Sequence, residues 1–345
     1  MAQAVSAEQR IAVLSALAAL LPDPFLLLDR RSVVLYRNTA AAKDFPTATE
    51  GTLLTLALRN PAIVTALELA RRSNEPQAVE LHQTVPNVTW HLAHIMPLPE
   101  ADGMVAISLQ SLTEQKRIES LRSDFIANAS HELRTPLTSL MGFLDTLIGP
   151  AARDEAARER FLGIMRQQAS RMSRLIDDLM SLSRIEMRQH LKPTGSVDLR
   201  KLLAEVREGL ETQAKDAGVE VIVAAQSGAI VTGDREELYE VFENLVDNAI
   251  KYGGDGGKVD IALGPGRSGY DYLVTVTDHG AGIAAEHVPR LTERFYRVDE
   301  ESSRKKKGTG LGLAIVKHIL SRHRGLMAIR STQGHGTQVD VLLSK

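Results

Sequence analysis

From about residue 111 to 190 the chain carries two long apolar stripes at helical spacing, parted by a loop around Gly149-Pro150. In the first, Leu112, Ile118, Leu121 and Phe125 recur at helical intervals, followed by Leu133, Leu137, Leu140 and Leu144. In the second, Phe161, Ile164, Met165, Met172, Leu175, Ile176, Leu179 and Leu182 do the same, with arginines and acids between them. A 3.6-residue period held over such lengths predicts two amphipathic helices folded into a hairpin. A lone hairpin has too little interior to cover both stripes, so pairing with a second copy into a four-helix bundle is expected.

The flanks have a different texture. Residues 1 to about 110 read as a small mixed α/β unit. Phe25-Leu26-Leu27-Leu28-Asp29 and Val33-Val34-Leu35-Tyr36-Arg37-Asn38 are short apolar runs joined by Arg30-Arg31-Ser32, and helical patterns occupy about 39–45 and 60–72. Three further strand candidates follow at Ala78–Val85, Val88–Ile95 and Met104–Leu109, the last two joined across the turn-rich Pro97–Gly103. Residues 196–345 are mixed again. Strand candidates at Val219–Ala224, Val259–Leu263, Leu273–Asp278, Gly325–Ser331 and Gly336–Leu343 alternate with helices and glycine-rich loops.

Composition removes several classes of function. There is no cysteine, which excludes disulfides, cysteine zinc sites, iron–sulfur clusters, thiol catalysis and flavin–cysteine photochemistry. The balance of 41 Lys+Arg against 43 Asp+Glu does not suit a protein that coats nucleic acid. The most apolar N-terminal stretch, Ile11–Leu28, is broken by Pro22-Asp23-Pro24, short of the roughly 20 residues a membrane helix needs. A soluble intracellular chain is expected, or a cytoplasmic piece whose membrane anchor lies upstream of Met1.

The chemistry begins at Ser130-His131-Glu132-Leu133-Arg134-Thr135-Pro136. At about 100° per residue, His131 lies about 200° from Leu133, so it faces away from the apolar stripe. Thr135 and Thr138 share its outer face, and Glu132 sits one position round. An exposed imidazole with a carboxylate beside it is a nucleophile with its base; alone, it is equally a solvated surface histidine. Pro136 lacks an N–H, which frees the Glu132 carbonyl and bends the helix there. The other nine histidines have no such neighbours and read as structural. His82, His91 and His94 fall on alternate strand faces rather than in a haem or metal set.

Four elements in the last third point to a nucleotide. Asn244, Asn248 and Lys251 stand at i, i+4 and i+7 of Asn244–Tyr252, and amides with one ammonium suit a Mg²⁺–polyphosphate. Asp278-His279-Gly280-Ala281-Gly282-Ile283 follows a strand, where a carboxylate can accept from an adenine amino group while glycines let the base approach. Gly308-Thr309-Gly310-Leu311-Gly312-Leu313 opens a helix, and glycine N–H groups at a helix start bind phosphate. Gly334-His335-Gly336-Thr337 closes the set. Arg304-Lys305-Lys306-Lys307 is either a lid that reaches phosphates or a solvated run, and Phe295 and Tyr296 read equally well as lid packing.

These motifs resemble those of histidine protein kinases of two-component systems. His131–Pro136 resembles the H box, Asn244–Tyr252 the N box, Asp278–Ile283 the G1 box, Glu293–Arg297 the F box and Gly308–Leu313 the G2 box, in order over about 115–345. The front unit resembles a PAS domain in its Pro22–Asp29 opening and its Asn38-Thr39-Ala40-Ala41 helix start, a layout similar to that of phosphate-regulon sensor kinases. The resemblance implies a multidomain α+β chain. Its parts are a PAS-like sensor over 1–110, a dimeric helical-hairpin phosphoacceptor domain over 111–190 and a GHKL-type α/β sandwich binding ATP over 191–345.

Further implications follow residue by residue. His131 is the phosphoacceptor, Glu132 its base, and Thr135 positions water when the partner is dephosphorylated. Asn248 ligates Mg²⁺, and Asn244 and Lys251 contact phosphates. Tyr252 packs at the nucleotide and Asp278 reads adenine, with Gly280, Gly282, Gly308, Gly310, Leu311, Gly312 and Thr337 completing the site. Gyrase-type and Hsp90-type relatives have Glu where Asn244 stands, so ATP here waits for the histidine. No receiver pattern follows Gly336, and the implied partner is an aspartate on a separate response-regulator receiver domain. A GHKL-type ATPase without phosphohistidine, a phosphatase-dominant scaffold and a ligand-binding sensor remain the alternatives.

Overall fold

The computed structural model describes residues 7–84, 87–98, 101, 103–188, 191–225, 228–298 and 308–345. Val85, Pro99, Glu100, Asp102 and the Arg304-Lys305-Lys306-Lys307 run lie outside the described residues. The chain divides into two compact units, Met1–Asp124 and Phe125–Lys345.

The first unit begins with α1 (Ala7–Ala18), β1 (Phe25–Leu28) and β2 (Val34–Arg37). α2 (Thr39–Asp44), α3 (Leu54–Ala57) and α4 (Pro61–Ser73) follow, then β3 (Gln77–Gln83), β4 (Thr89–Leu98) and β5 (Met104–Ser111). The strands form one sheet in the order β2-β1-β5-β4-β3, every neighbouring pair antiparallel. This is the expected succession of two strands, helices and three strands. Asn38 organises its opening. The side-chain Oδ1 of this buried residue accepts from the N–H groups of Ala41 (2.9 Å) and Phe25 (3.0 Å), while Nδ2 donates to the Asp23 carbonyl (2.9 Å) and the Ala18 carbonyl (3.1 Å). One amide thereby caps α2 and fixes β1, as a buried amide must with all its polar atoms satisfied. On β4 and β3 the three histidines separate as expected. His91 is buried edge-on to Phe45, His82 stacks on Trp90, and His94 is exposed.

β5 leads into α5 (Thr113–Ile148) through Trp90, whose N–H donates to Thr113 Oγ1 (2.9 Å) and whose carbonyl accepts from the Leu112 N–H (2.8 Å). α5 continues into the second unit and runs unbroken past the buried Pro136. α6 (Glu155–Met187) returns antiparallel after the Gly149-Pro150 loop, with Asp154 capping the Ala157 N–H (2.9 Å). Neither helix is long and apolar enough to cross a membrane, nor is any other described helix. The stripe remains open in a single chain: Leu137 is 49% exposed and Met141 53%.

The remainder of this unit comprises β6 (Ser196–Asp198), α7 (Leu199–Gly209), α8 (Glu211–Asp216), β7 (Glu220–Ala225), β8 (Ile230–Thr232) and α9 (Arg235–Gly253). These are followed by β9 (Lys258–Pro265), β10 (Tyr272–Asp278), α10 (Gly312–Arg322), β11 (Leu326–Ser331) and β12 (Thr337–Leu343). The large sheet runs β11-β12-β10-β9-β7, antiparallel except for the parallel β7–β9 pair, and β6 pairs with β8. Alternate residues Val259, Ile261 and Leu263 of β9, with Val274 and Val276 of β10, are buried in the core shared with α7, α9 and α10. Period-2 burial is what a sheet covered on one face produces. α9 gives that core Leu238, Phe242, Leu245 and Val246, leaving Asn244, Asn248 and Lys251 half-buried at its edge.

A buried ion pair ties the hairpin's end to this layer. The Arg322 guanidinium of α10 bonds Glu237 of α9 and donates through Nε to the Leu191 (2.8 Å) and Arg188 (3.2 Å) carbonyls. Removing one member of such a pair strands the other in a poorly solvated place. Arg322→Ala is expected to cost roughly 3–5 kcal/mol, lowering Tm by about 10 °C for a unit of this size. Calorimetry checks this, and a loss below about 1 kcal/mol would rank the pair with weak surface contacts.

Candidate functional site

On α5, His131 and Thr135 are exposed on the outer face, as the spacing required. The Thr135 hydroxyl donates to the His131 carbonyl (3.2 Å). Glu132 is half-buried, and its carboxylate is held by two guanidinium groups. Oε2 accepts from Arg171 Nη2 of α6 (3.1 Å) and from Arg297 Nη2 (2.9 Å). The same Arg297 nitrogen also donates to the Thr309 carbonyl (2.9 Å), and its side chain is only 7% exposed. A carboxylate shared by two guanidinium groups is bonded strongly and directionally. Glu132 is therefore tied to the loop that precedes α10.

That loop borders a cavity of about 390 Å³. Asn244, Asn248, Lys251 and Tyr252 line one wall from α9; Asp278, Gly282 and Thr337 line another. Gly308, Gly310 and Gly312 line a third. The sequence-derived site residues thus converge on one space, although they come from four separate stretches of chain. At one end the Asp278 carboxylate is buried; its Oδ1 accepts from the Gly280 N–H (3.0 Å) and the Thr337 N–H (3.3 Å). Burial pushes this carboxyl above the usual aspartate range despite those bonds. Gly280 packs so closely that a Cβ there would lie 2.6 Å from the Gly253 Cα.

At the other end Asn244 donates from Nδ2 to the Glu240 carbonyl (2.9 Å), and its Oδ1 would sit 2.6 Å from a Cβ on Gly312. Tyr252, by the Asp278 end, and Asn244 are eight residues apart, which at 1.5 Å per residue separates the two ends by about 12 Å. Lys251 pairs with Asp247, whose other oxygen accepts from Gln213 Nε2 (2.5 Å). Gly310 has φ +77° and its carbonyl accepts from the Phe295 N–H (2.8 Å), a backbone shape that glycine adopts without strain.

Two expected contacts take other places. The Leu311 side chain is fully buried in the core, its N–H donating to Thr309 Oγ1 (3.3 Å), and Gly280 serves Asp278 rather than the cavity wall. Phe295 packs on Phe125 of α5 with ring centroids 5.9 Å apart, while the Tyr296 hydroxyl meets His287 Nδ1 (2.7 Å). Several residues at the site escaped the sequence reading. Arg171, Arg174 and Asp178 stand at i, i+3 and i+7 on α6, a shared face that spacing reveals, although spacing names no partner for it. Arg174 and Asp178 line the cavity, and Asp178 Oδ2 accepts from the Thr309 hydroxyl (2.6 Å). Burial raises the Asp178 carboxyl as well.

This arrangement places an exposed imidazole on one helix of a hairpin and a nucleotide-sized, amide-lined cavity behind a glycine loop that the hairpin touches. Residues 121–188 match the His Kinase A (phospho-acceptor) domain, and residues 233–345 match the histidine kinase-, DNA gyrase B-, and HSP90-like ATPase family. The chain belongs to the two-component sensor histidine kinases. It is 36% identical over 271 residues to the phosphate regulon sensor protein PhoR of Pseudomonas aeruginosa, covering 79% of this chain and 58% of that protein. It is 30% identical over 326 residues to the sensor protein kinase WalK of Staphylococcus aureus, covering 93% of this chain and 53% of that one. This histidine kinase thus spans somewhat over half the length of these curated relatives. The solved histidine kinase ThkA, in complex with response regulator protein TrrA, shares its fold over 95% of this chain and 97% of that one, with a TM-score of 0.52 at 19% identity.

The raised Asp278 carboxyl has a testable sign. Where the folded state holds a proton more tightly than the unfolded chain, stability falls as pH rises through the window between the two pKa values. That window opens near the ordinary aspartate value of about 4 and extends upward. Asp278→Asn retains an oxygen for the Gly280 and Thr337 N–H groups and does not titrate. The Tm of the variant relative to wild type should therefore rise as pH increases from 3 to 7. A difference that stays level or shrinks in melting curves would show that burial does not dominate at this carboxyl.

Proposed function

We propose that this kinase transfers the γ-phosphoryl group of ATP to His131 and then to an aspartate on the receiver domain of a response regulator. The observation that carries this reading is Arg297. It bonds the carboxylate beside His131 and also lines the nucleotide cavity, so the acceptor helix and the donor site share a side chain. Adenine is read by the remaining oxygen of Asp278, which accepts from the exocyclic amino group, with Gly282 beside it on the same wall. Asn244, Asn248 and Lys251 face the polyphosphate, and N–H groups at the start of α10 add to them.

Mg²⁺ suits these residues as an ion carried on the phosphates. No group of three or more His, Asp or Glu able to hold a metal by itself is found among the described residues, whereas the Asn248 amide oxygen is a hard donor able to complete a hydrated ion's shell. Bound there, it neutralises phosphate charge. In the transfer, a His131 ring nitrogen forms the N–P bond as the bond from the γ-phosphorus to the ADP oxygen breaks, and Glu132 takes the imidazole proton. Catalysis is then mainly positioning and charge neutralisation. Asn244, an amide, does not activate water, which favours the histidine as acceptor.

The open stripe of α5 and α6 supports a homodimer that buries it in a four-helix bundle, with Leu121, Ile126, Leu137, Met141 and Ile148 all well exposed in the single chain. The strand order β2-β1-β5-β4-β3 supports reading residues 1–110 as a PAS-like sensor, 111–190 as the dimerisation and phosphoacceptor domain, and 191–345 as the ATP-binding domain. The exposed Thr135, one turn beyond His131, is assigned to orient water against the receiver's aspartyl phosphate, giving the kinase a phosphatase activity.

Incubation with γ-labelled ATP tests the reading. The wild type should acquire acid-labile, alkali-stable label, and His131→Gln should acquire none while binding nucleotide normally, since an amide is no nucleophile. Wild-type labelling of that variant would remove His131 from the mechanism. Thr135→Ala should keep autophosphorylation within a few-fold and lose most dephosphorylation of a phosphorylated receiver. Parallel loss of both rates, together with a lowered Tm, would show that Thr135 only packs.

A further inference from the structure

Asp178 belongs to the hairpin, yet it lines the nucleotide cavity. It bonds the hydroxyl of Thr309, the residue between Gly308 and Gly310 in the loop that opens α10. A loop of this kind, with helix N–H groups behind it, attracts anions. Here the anion in contact with it is a protein carboxylate. Resting on the reading that the cavity binds a nucleotide, we propose that Asp178 is a specificity residue that makes the docked hairpin discriminate against a nucleoside triphosphate relative to the diphosphate.

Charge around the cavity supports this. Among the described residues, Arg174, Lys251 and Arg297 are the cations that line it, but Lys251 is paired with Asp247 and Arg297 with Glu132. Asp178 faces the charge of Arg174, the third, so the described lining has little uncompensated positive charge for a polyphosphate. A triphosphate brings one more anionic phosphoryl group than a diphosphate, and like charges within a few ångströms in a partly desolvated cavity repel strongly. Burial raises the Asp178 carboxyl although Lys251 and Arg174 act against it, so solvent does little to screen a second anion beside it. A diphosphate avoids most of that repulsion.

The contact also has a consequence for the base. Thr309 accepts at its carbonyl from the Arg297 nitrogen that holds Glu132, so a loop pushed off Asp178 carries that arginine with it. The Arg297 Nε–H, buried and without an acceptor in the structure, offers an arriving phosphate oxygen a donor. Triphosphate binding would then release Glu132 from Arg297 as it separates Thr309 from Asp178.

The test is isothermal titration of the full chain with Mg²⁺-ADP and with Mg²⁺ and a non-hydrolysable β,γ-imido triphosphate. Asp178→Asn keeps an oxygen for the Thr309 hydroxyl and removes the charge. It should bind the triphosphate analogue at least tenfold more tightly than wild type, with ADP affinity changed less than threefold. Asp178→Glu should keep the wild-type ratio, and Asp178→Ser should shift it in the same direction as Asn should the Asn variant fold poorly. Equal gains for both nucleotides, or an unchanged ratio in both uncharged variants, would overturn the proposal. Failure of the wild type to bind either nucleotide would instead overturn the ATP-binding reading beneath it.

Discussion

One guanidinium, that of Arg297, connects the two halves of the chemistry. Its Nη2 reaches Glu132 on α5 and the Thr309 carbonyl in the glycine loop, each at 2.9 Å, from a side chain that is almost fully buried. In such surroundings the two acceptors at Nη2 are what hold the charge, since the buried Nε–H has none. The loop and α5 are therefore held in one arrangement, and whatever competes for this arginine alters both. Asp178–Thr309 and the ring contact of Phe125 with Phe295 bind the same two regions together.

α9 explains how the cavity keeps its shape. One face buries Leu238, Phe242, Leu245 and Val246 against the sheet, and the adjoining face carries Asn244, Asn248 and Lys251. Any rotation of the helix that moved the amides would expose the leucines, at about 25 cal/mol per Å² of apolar surface. The helix start is pinned as well: Asp234 caps the Glu236 and Glu237 N–H groups, and its own N–H donates to His323 Nε2 (3.0 Å). One wall of the site is thus carried by a helix fixed at its start and along its buried face.

In the first unit the equivalent economy is local. Asn38 bonds five backbone groups at the opening of the sheet, and Trp90 with Thr113 fixes where β5 ends and α5 starts. Because α5 is continuous from Thr113 to Ile148, the helix that begins at this anchor is the one that carries His131. A change at the Trp90–Thr113 contact therefore acts on the first turn of the helix that carries His131.

The sequence by itself determined everything that depends on short-range geometry. The 3.6-residue period of Leu133, Leu137 and Leu140 put His131 and Thr135 outside; the Asn244, Asn248 and Lys251 spacing defined one face; and the glycine motifs around 280 and 310 marked two further walls of the cavity. Strand starts agreed to within a residue, β7 at Glu220 and β10 at Tyr272, but β4 runs on to Leu98, three residues past its expected end, and the short β6 and β8 were not anticipated. Tertiary structure decided what long side chains do across the chain. It turned Glu132 toward Arg171 and Arg297, partners 39 and 165 residues away, and brought Asp178 to Thr309 across 131 residues. It also sent Leu311 into the core, although its motif had placed it at the nucleotide. Periodicity states which face a residue occupies, but a charged side chain of several rotatable bonds chooses its partner only once packing has brought the faces together, so those contacts had no signature in the linear pattern.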